Sequence, residues 1–260
     1  MAALTLERQG AVAVLTLNRP AQGNAINPEM AGQLLEAAAT CDGDDAIRCV
    51  LLTGTGKLFC GGGDLDSFAE AGAAVRPVVS RQAALFHGAI ARLARMAKPL
   101  VVAVNGPAAG AGLSLAALGD LVLASPRAHF TFGYCALGFS PDGGASWLLP
   151  RLIGLRRTQE LMLTNRRIPA AEAVEIGLVT RLLEPEALMA EAHAIAQGLA
   201  AGPTRAYGRT RSLLLGSHDT SLETQLEREA RLLAESAADP EGREGLAALR
   251  AGRPARFQPD

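Results

Sequence analysis

Aromatic residues are scarce: one Trp, two Tyr and seven Phe make up 4% of a 260-residue chain. So thin a supply argues against a stacking platform for single-stranded nucleic acid. Charge of one sign is missing too. Against 26 Asp and Glu stand 25 Lys and Arg, a net charge of −1, so no global field steers the chain to DNA or to an anionic membrane. Long apolar runs are absent. Leu100–Val104 and Gly110–Leu118 fall well short of the ~20 residues that a bilayer span needs. The opening MAALTLERQGAVAVLTLNRP has no basic segment followed by a continuous apolar one, so no signal peptide is expected. Four scattered cysteines (Cys41, Cys49, Cys60, Cys135) show no CxxC spacing. They are expected to be reduced thiols in a cytoplasmic protein, neither a disulfide framework nor a zinc site. No metal-ligand cluster and no GxxxxGK[ST] phosphate loop occur, and no separate cofactor is expected.

What is present is a large apolar fraction, 49% against 20% charged, enough for a sizeable core and incompatible with disorder. The length suits one α/β domain with an appendage. Leu4–Arg8 and Val12–Leu17 read as a hairpin. Pro28–Thr40 reads as a helix with Asn27 as N-cap and Pro28 in its first position. Cys49–Thr53, Leu100–Val104 and Leu121–Ala124 read as buried strands, with a helix over Val79–Met96 and another from about Gly110. Such alternation implies βα units. Beyond Pro185 the text becomes helical throughout, over Ala187–Ala200, Thr204–Leu215, Ser221–Ala237 and Glu241–Arg250. The division falls in the stretch 195–203: a core of residues 1–197 and a C-terminal helical region of 198–260.

Two glycine loops carry the chemistry. Phe59-Cys60-Gly61-Gly62-Gly63-Asp64 follows one buried strand, and its glycines let backbone N–H groups approach a ligand. Asn105-Gly106-Pro107-Ala108-Ala109-Gly110-Ala111-Gly112 follows another and opens a helix, whose free N–H groups and dipole favour negative charge. Each alone could be a flexible connection or a tightly packed small-residue helix.

Their order is more telling. NRP…NAI (18–26), LTGxGxxFCxGxD (52–64), KPxVxAVNGxAxGxG (98–112), PDGG…LPRLIG (141–154), LTNRRIPAAEAVEIGLV (163–179) and the closing GRPARF (252–257) together resemble the crotonase, or enoyl-CoA hydratase/isomerase, superfamily over essentially the whole chain. That resemblance implies an α/β spiral of ββα turns with a C-terminal helical trimerisation region, in a homotrimer or a dimer of trimers. It implies an acyl-CoA thioester as substrate, coenzyme A being part of the substrate. It places the oxyanion donors that hold the thioester enolate at the main chain of Gly63 and Ala111. Preorganised donors of this kind contribute about 3–4 kcal/mol each.

Hydratases of the superfamily carry two glutamates. Here Ser114 and Tyr134 fall at those positions, and neither is a carboxylate base. Asp142, in Ser140-Pro141-Asp142-Gly143-Gly144, reads either as an N-cap for the helix that follows or as the acid/base of a double-bond isomerase. With His87 on the long helix it also matches the positions where 4-halobenzoyl-CoA dehalogenases place a nucleophile and a base. Gly154–Arg166 is similar to theirs as well, but Tyr134 stands where they carry Trp. Other readings are a Ser114/His87/Asp142 hydrolase, a hydratase, and a non-catalytic CoA-ester-binding protein. For the substrate, the resemblance points to Arg19 for CoA phosphates, and to Ala25, Ile26 and the Phe59–Gly61 main chain for the adenine side. It gives Asp64, Gly110, Ser114 and Tyr134 as further residues that bind the CoA thioester, and Phe257 as one that would cap the nucleotide of an adjacent subunit. The stretch 67–85 is expected to shape the acyl pocket. His129, His193 and His218 have no partner pattern.

Overall fold

A computed structural model describes residues 2–257. Its main sheet has six strands in the order β1-β2-β3-β4-β6-β9. Strands β1 (Leu4–Gln9) and β2 (Val12–Leu17) form the expected antiparallel hairpin. Then β3 (Cys49–Gly54), β4 (Leu100–Val104), β6 (Leu121–Ala124) and β9 (Arg181–Leu182) add in parallel. A second stack runs alongside: β5 (Ala108–Ala109), β7 (His129–Thr131) and β8 (Ile168–Pro169) form a small sheet. Isolated parallel bridges Ile26–Gly63 and Cys60–Ala108 extend it backward. Each turn of chain therefore gives one strand to the main sheet, one short extended piece to the second stack, and then a helix. This is the ββα spiral.

The strands are apolar without interruption because both faces are covered. Ala13, Leu15, Val50, Leu52, Val102 and Val104 point into the larger core. The alternate residues Val12, Val14, Cys49, Leu51, Val101 and Ala103 meet Leu188, Ala192, Ala196 and Ala200 of α8 (Pro185–Ala201). Those four are spaced by four residues, one stripe of the helix, and alanine there lets it lie close on the sheet.

On the other side, α1 (Pro28–Gly43) packs on α3 (Val75–Arg95), with the short α2 (Leu65–Glu70) ahead of it. Asn27 caps α1 as expected, its side chain accepting from Met30 N at 2.9 Å. Helices α4 (Ala111–Ala116) and α7 (Ala170–Glu175) pack on the second stack, and α5 (Ala145–Ile153) packs on α4 and on α6 (Leu155–Thr164). The chain ends in α9 (Thr204–Gly216), α10 (Leu222–Ala238) and α11 (Pro240–Ala251). Helix α8 runs through the 197/198 division and belongs to the core it covers. No helix among the described residues is long and apolar enough to cross a membrane.

Candidate active site

The site is assembled at the C-terminal ends of β3 and β4, where the two glycine loops meet. Asn24 begins it. Fully buried and at φ 54°, it donates to the carbonyls of Thr55, Leu58 and Phe59 and accepts from Arg19 N at 2.8 Å. One side chain thus fixes the path of the first loop. Ile26 then clamps the loop by its backbone: Ile26 N donates to Gly62 O at 2.7 Å, and Asp64 N donates to Ile26 O at 2.9 Å. Gly63 N lies between these bonds and donates to no protein acceptor among the described residues.

The second loop is stitched to the first. Phe59 N and Cys60 N donate to Pro107 O, and Ala109 N donates to Cys60 O. Gly62 adopts φ +100°, and a Cβ there would lie 2.9 Å from Ala109 O, so only glycine lets the loops come this close. The same point is 3.5 Å from Ala111 N, the free first N–H of α4. Gly63 and Ala111 thus present unbonded main-chain donors from adjoining loops, the arrangement expected of an oxyanion hole.

Next to them stands the acid. A Cβ on Gly110 would lie 3.8 Å from Tyr134 Cζ, so the tyrosine ring borders the second loop. Tyr134 Oη donates to Asp142 Oδ1 at 2.6 Å. Burial, then the Asp142 carboxylate, push the Tyr134 hydroxyl above its ordinary range, so it remains a donor. The other carboxylate oxygen, Oδ2, lies 3.3 Å from His87 Nε2. Ser114, fully buried, directs its Oγ to the backbone carbonyl of Asp142 at 3.0 Å. It makes no hydrogen bond with His87, so the hydrolase set has a hydroxyl without its base. Nor does Asp142 cap α5: Gly144 holds the cap position, while the Asp142 side chain faces Tyr134 and His87.

The turn that delivers Asp142 needs its glycines. Gly143 lies at φ +61°, and a Cβ there would fall 2.8 Å from Phe86 Cε1 and 2.9 Å from Ser114 Cβ. Its N–H donates to His87 Nε2 at 3.1 Å. A ring nitrogen that accepts this bond carries no proton, so the geometry selects the tautomer with the proton on Nδ1. The same nitrogen lies 3.3 Å from Asp142 Oδ2.

The remaining expected residues divide. Ala25, Ile26, Phe59, Gly61 and Asp64 lie on the first loop or against it. Arg19 reaches the site but pairs inward, with Asp64 Oδ2 at 2.8 Å and Ala25 O at 2.5 Å. Asp64 also caps α2. Phe257 lies elsewhere in this chain, in a cleft with Ile47 and Lys98 at the opposite ends of β3 and β4. Its place beside a neighbouring subunit's nucleotide stays an expectation. Three contributors went unmarked in the sequence. Gln82 donates to Ile26 O at 2.7 Å and steadies Gly63 from α3. Phe68 lies over Gly63, 3.3 Å from where a Cβ would be. Asn165 accepts from Gly133 N at 2.6 Å and holds the turn before Tyr134.

Two free main-chain donors on adjoining glycine loops and the Asp142 carboxylate held by Tyr134 border one site. Comparison gives the family. The sequence profile of the enoyl-CoA hydratase/isomerase family matches residues 7–259, and this chain belongs to that family. It is 39% identical over 249 residues to the 1,2-epoxyphenylacetyl-CoA isomerase of Escherichia coli (strain K12), covering 95% of this chain and 94% of the relative. It is 33% identical over 248 residues to the 4-chlorobenzoyl coenzyme A dehalogenase-2 of an Arthrobacter species, covering 95% and 90%. The crystal structure of an enoyl-CoA hydratase from Polaromonas sp. JS666 superposes with a TM-score of 0.93 at 31% identity, covering 98% of this chain and 99% of that one. The fold and the acyl-CoA family read from the motifs are those found.

Proposed function

We propose that this acyl-CoA enzyme shifts a double bond in an enoyl-CoA, with Asp142 as the acid/base. The observation that carries the reading is the placement of one carboxylate beside the oxyanion donors, with Ser114 and Tyr134 where a hydratase would hold acids. The thioester oxygen accepts from Gly63 N–H and Ala111 N–H. Asp142 Oδ2 removes a proton from carbon, and the electron pair moves into the thioester as an enolate. The carboxylic acid so formed returns the proton to the vinylogous carbon. No proton or electron is gained or lost overall. Tyr134 holds Oδ1 throughout, which leaves Oδ2 to move the proton. The relative named as a 1,2-epoxyphenylacetyl-CoA isomerase supports isomerisation of an acyl-CoA, the coarser part of this reading.

A second reading is kept alive by one distance. His87 and Asp142 meet at 3.3 Å, the pair that a 4-halobenzoyl-CoA dehalogenase would use as base and nucleophile. The experiment is a panel of 3-enoyl-, 2-enoyl- and 4-halobenzoyl-CoA thioesters assayed with the purified protein. Isomerisation of a 3-enoyl-CoA with slow hydration of crotonyl-CoA is expected. Halide release without isomerisation would replace the first reading by the second, and fast hydration would overturn the assignment of Ser114 and Tyr134. The proposal includes assembly as a homotrimer or a dimer of trimers. Leu222, Leu226 and Leu233, all more than half exposed on one face of α10, support it. A stable monomer at micromolar concentration by light scattering would refute it.

A further inference from the structure

One turn beyond His87, α3 enters a cavity of about 730 Å³ that the proton shuttle does not use. Ile90, three residues after His87, and Gly144, next to Gly143, form its near end. Ala94, Leu118, Leu148 and Leu215 continue the wall and keep it apolar. The volume lies within the ~300–1,000 Å³ usual for small-molecule pockets.

Its outer rim, exposed to solvent, is charged. Arg95 and Arg228 line the cavity, and among the described residues neither has an ion-pair or hydrogen-bond partner. Their neighbours are satisfied: Arg92 pairs with Asp42 at 3.1 Å, Arg211 with Asp120 at 2.8 Å and Arg231 with Glu227 at 2.7 Å. The one acid among the lining residues, Asp219, lies 3.8 Å from Arg151, itself stacked 3.9 Å over Trp147. The cavity therefore carries uncompensated positive charge beyond an apolar stretch. Arg95 follows His87 by eight residues, ~12 Å along the helix axis.

We infer that this cavity receives the far end of the acyl chain, and that the chain it fits ends in a carboxylate. The inference rests on the acyl-CoA reading above and narrows it to thioesters of dicarboxylic acids. A guanidinium meets a carboxylate with two parallel N–H···O bonds, which a methyl terminus cannot make.

The test is calorimetric binding of unreactive saturated thioesters, octanedioyl-CoA against octanoyl-CoA and decanedioyl-CoA against decanoyl-CoA, to the full-length protein at low salt. Preference for the dicarboxylic member by about tenfold is expected, the effect of one charge-assisted hydrogen bond. The ratio should fall towards one in Arg95→Gln and in Arg228→Gln, and Arg228→Glu should reverse it. Melting temperatures of the variants check that each is folded. Equal binding of the two members by the parent protein overturns the inference while the acyl-CoA reading stands. A preference that survives both substitutions overturns the assignment to these arginines. If CoA and all four thioesters fail to bind, the acyl-CoA reading fails and takes the inference with it.

Discussion

Asp142 has two oxygens in different surroundings, and the proposed chemistry uses that asymmetry. Oδ1 is held at 2.6 Å by Tyr134, and Oδ2 faces His87 with the carboxyl about one-third exposed. Asparagine in its place can still accept from Tyr134 but cannot take a proton from carbon. Asp142→Asn should therefore lose roughly 10²–10⁴-fold in kcat, the usual contribution of a general base. Its melting temperature should stay within about 4 °C, ~1 kcal/mol for a chain of this size. Full activity in that variant would remove Asp142 from the mechanism. Tyr134 gives a pH prediction. A hydroxyl whose pKa is raised stays protonated to higher pH, so its bond to Oδ1 is kept beyond the ordinary tyrosine value near 10. The kcat profile should show no alkaline limb from Tyr134 below about pH 10. A limb near pH 9 that vanishes in Tyr134→Phe would contradict this.

At the scale of elements, the turn at Gly143 and the joint at Arg48 do the positioning. Gly143→Ala would meet both a positive φ and a Cβ 2.8 Å from the Phe86 ring, so Asp142 would be displaced. Activity should fall at least ~100-fold, as a 1 Å misplacement near the reacting groups typically costs. Arg48, just ahead of β3, donates to the carbonyls of Ala200 and Gly202 and pairs with Glu241 at 3.0 Å. Glu241 in turn accepts from Arg205 N. This buried pair ties the last helices to the core. Glu241→Ala should cost about 3 kcal/mol in urea unfolding by leaving the guanidinium unpaired, and no loss would mean the two carbonyls suffice. Much of this scale was readable in advance. The hairpin, the buried strands and the cap at Asn27 follow from pattern and cap chemistry alone. Helix α3 begins at Val75, earlier than the Val79 expected, because Pro77 is tolerated in a first turn and does not mark a start. Gln82 and Asn165 stayed hidden for another reason. Their partners lie 56 and 32 residues away, and no local pattern announces a bond of that span.

At the scale of the whole molecule, the four cysteines report on how it opens. Cys41 lies in α1, Cys49 in β3 and Cys60 on the first glycine loop, all buried, whereas Cys135 is exposed beside Tyr134. Burial pushes the thiols of Cys41, Cys49 and Cys60 up to about 11, 12 and 12. At pH 8 a thiol with a value of 12 is roughly one part in 10⁴ thiolate, the reactive form, so closure and protonation both protect it. One thiol per chain, Cys135, should react quickly with a disulfide reagent in the native protein, and four in denaturant. The other three should react only through opening of the structure around them. Cys49 is covered by α8 on the central sheet and should track global unfolding. The Cys60 Sγ contacts Asn24 O at 3.2 Å, within the clamp that shapes the first glycine loop. On the proposed binding of the thioester by Gly63, an acyl-CoA should slow Cys60 more than Cys41. Two or more fast native thiols would show that the core around the sheet is looser than its packing implies. Equal slowing of Cys60 and Cys41 would show that the ligand stabilises the whole chain without closing the glycine loop in particular.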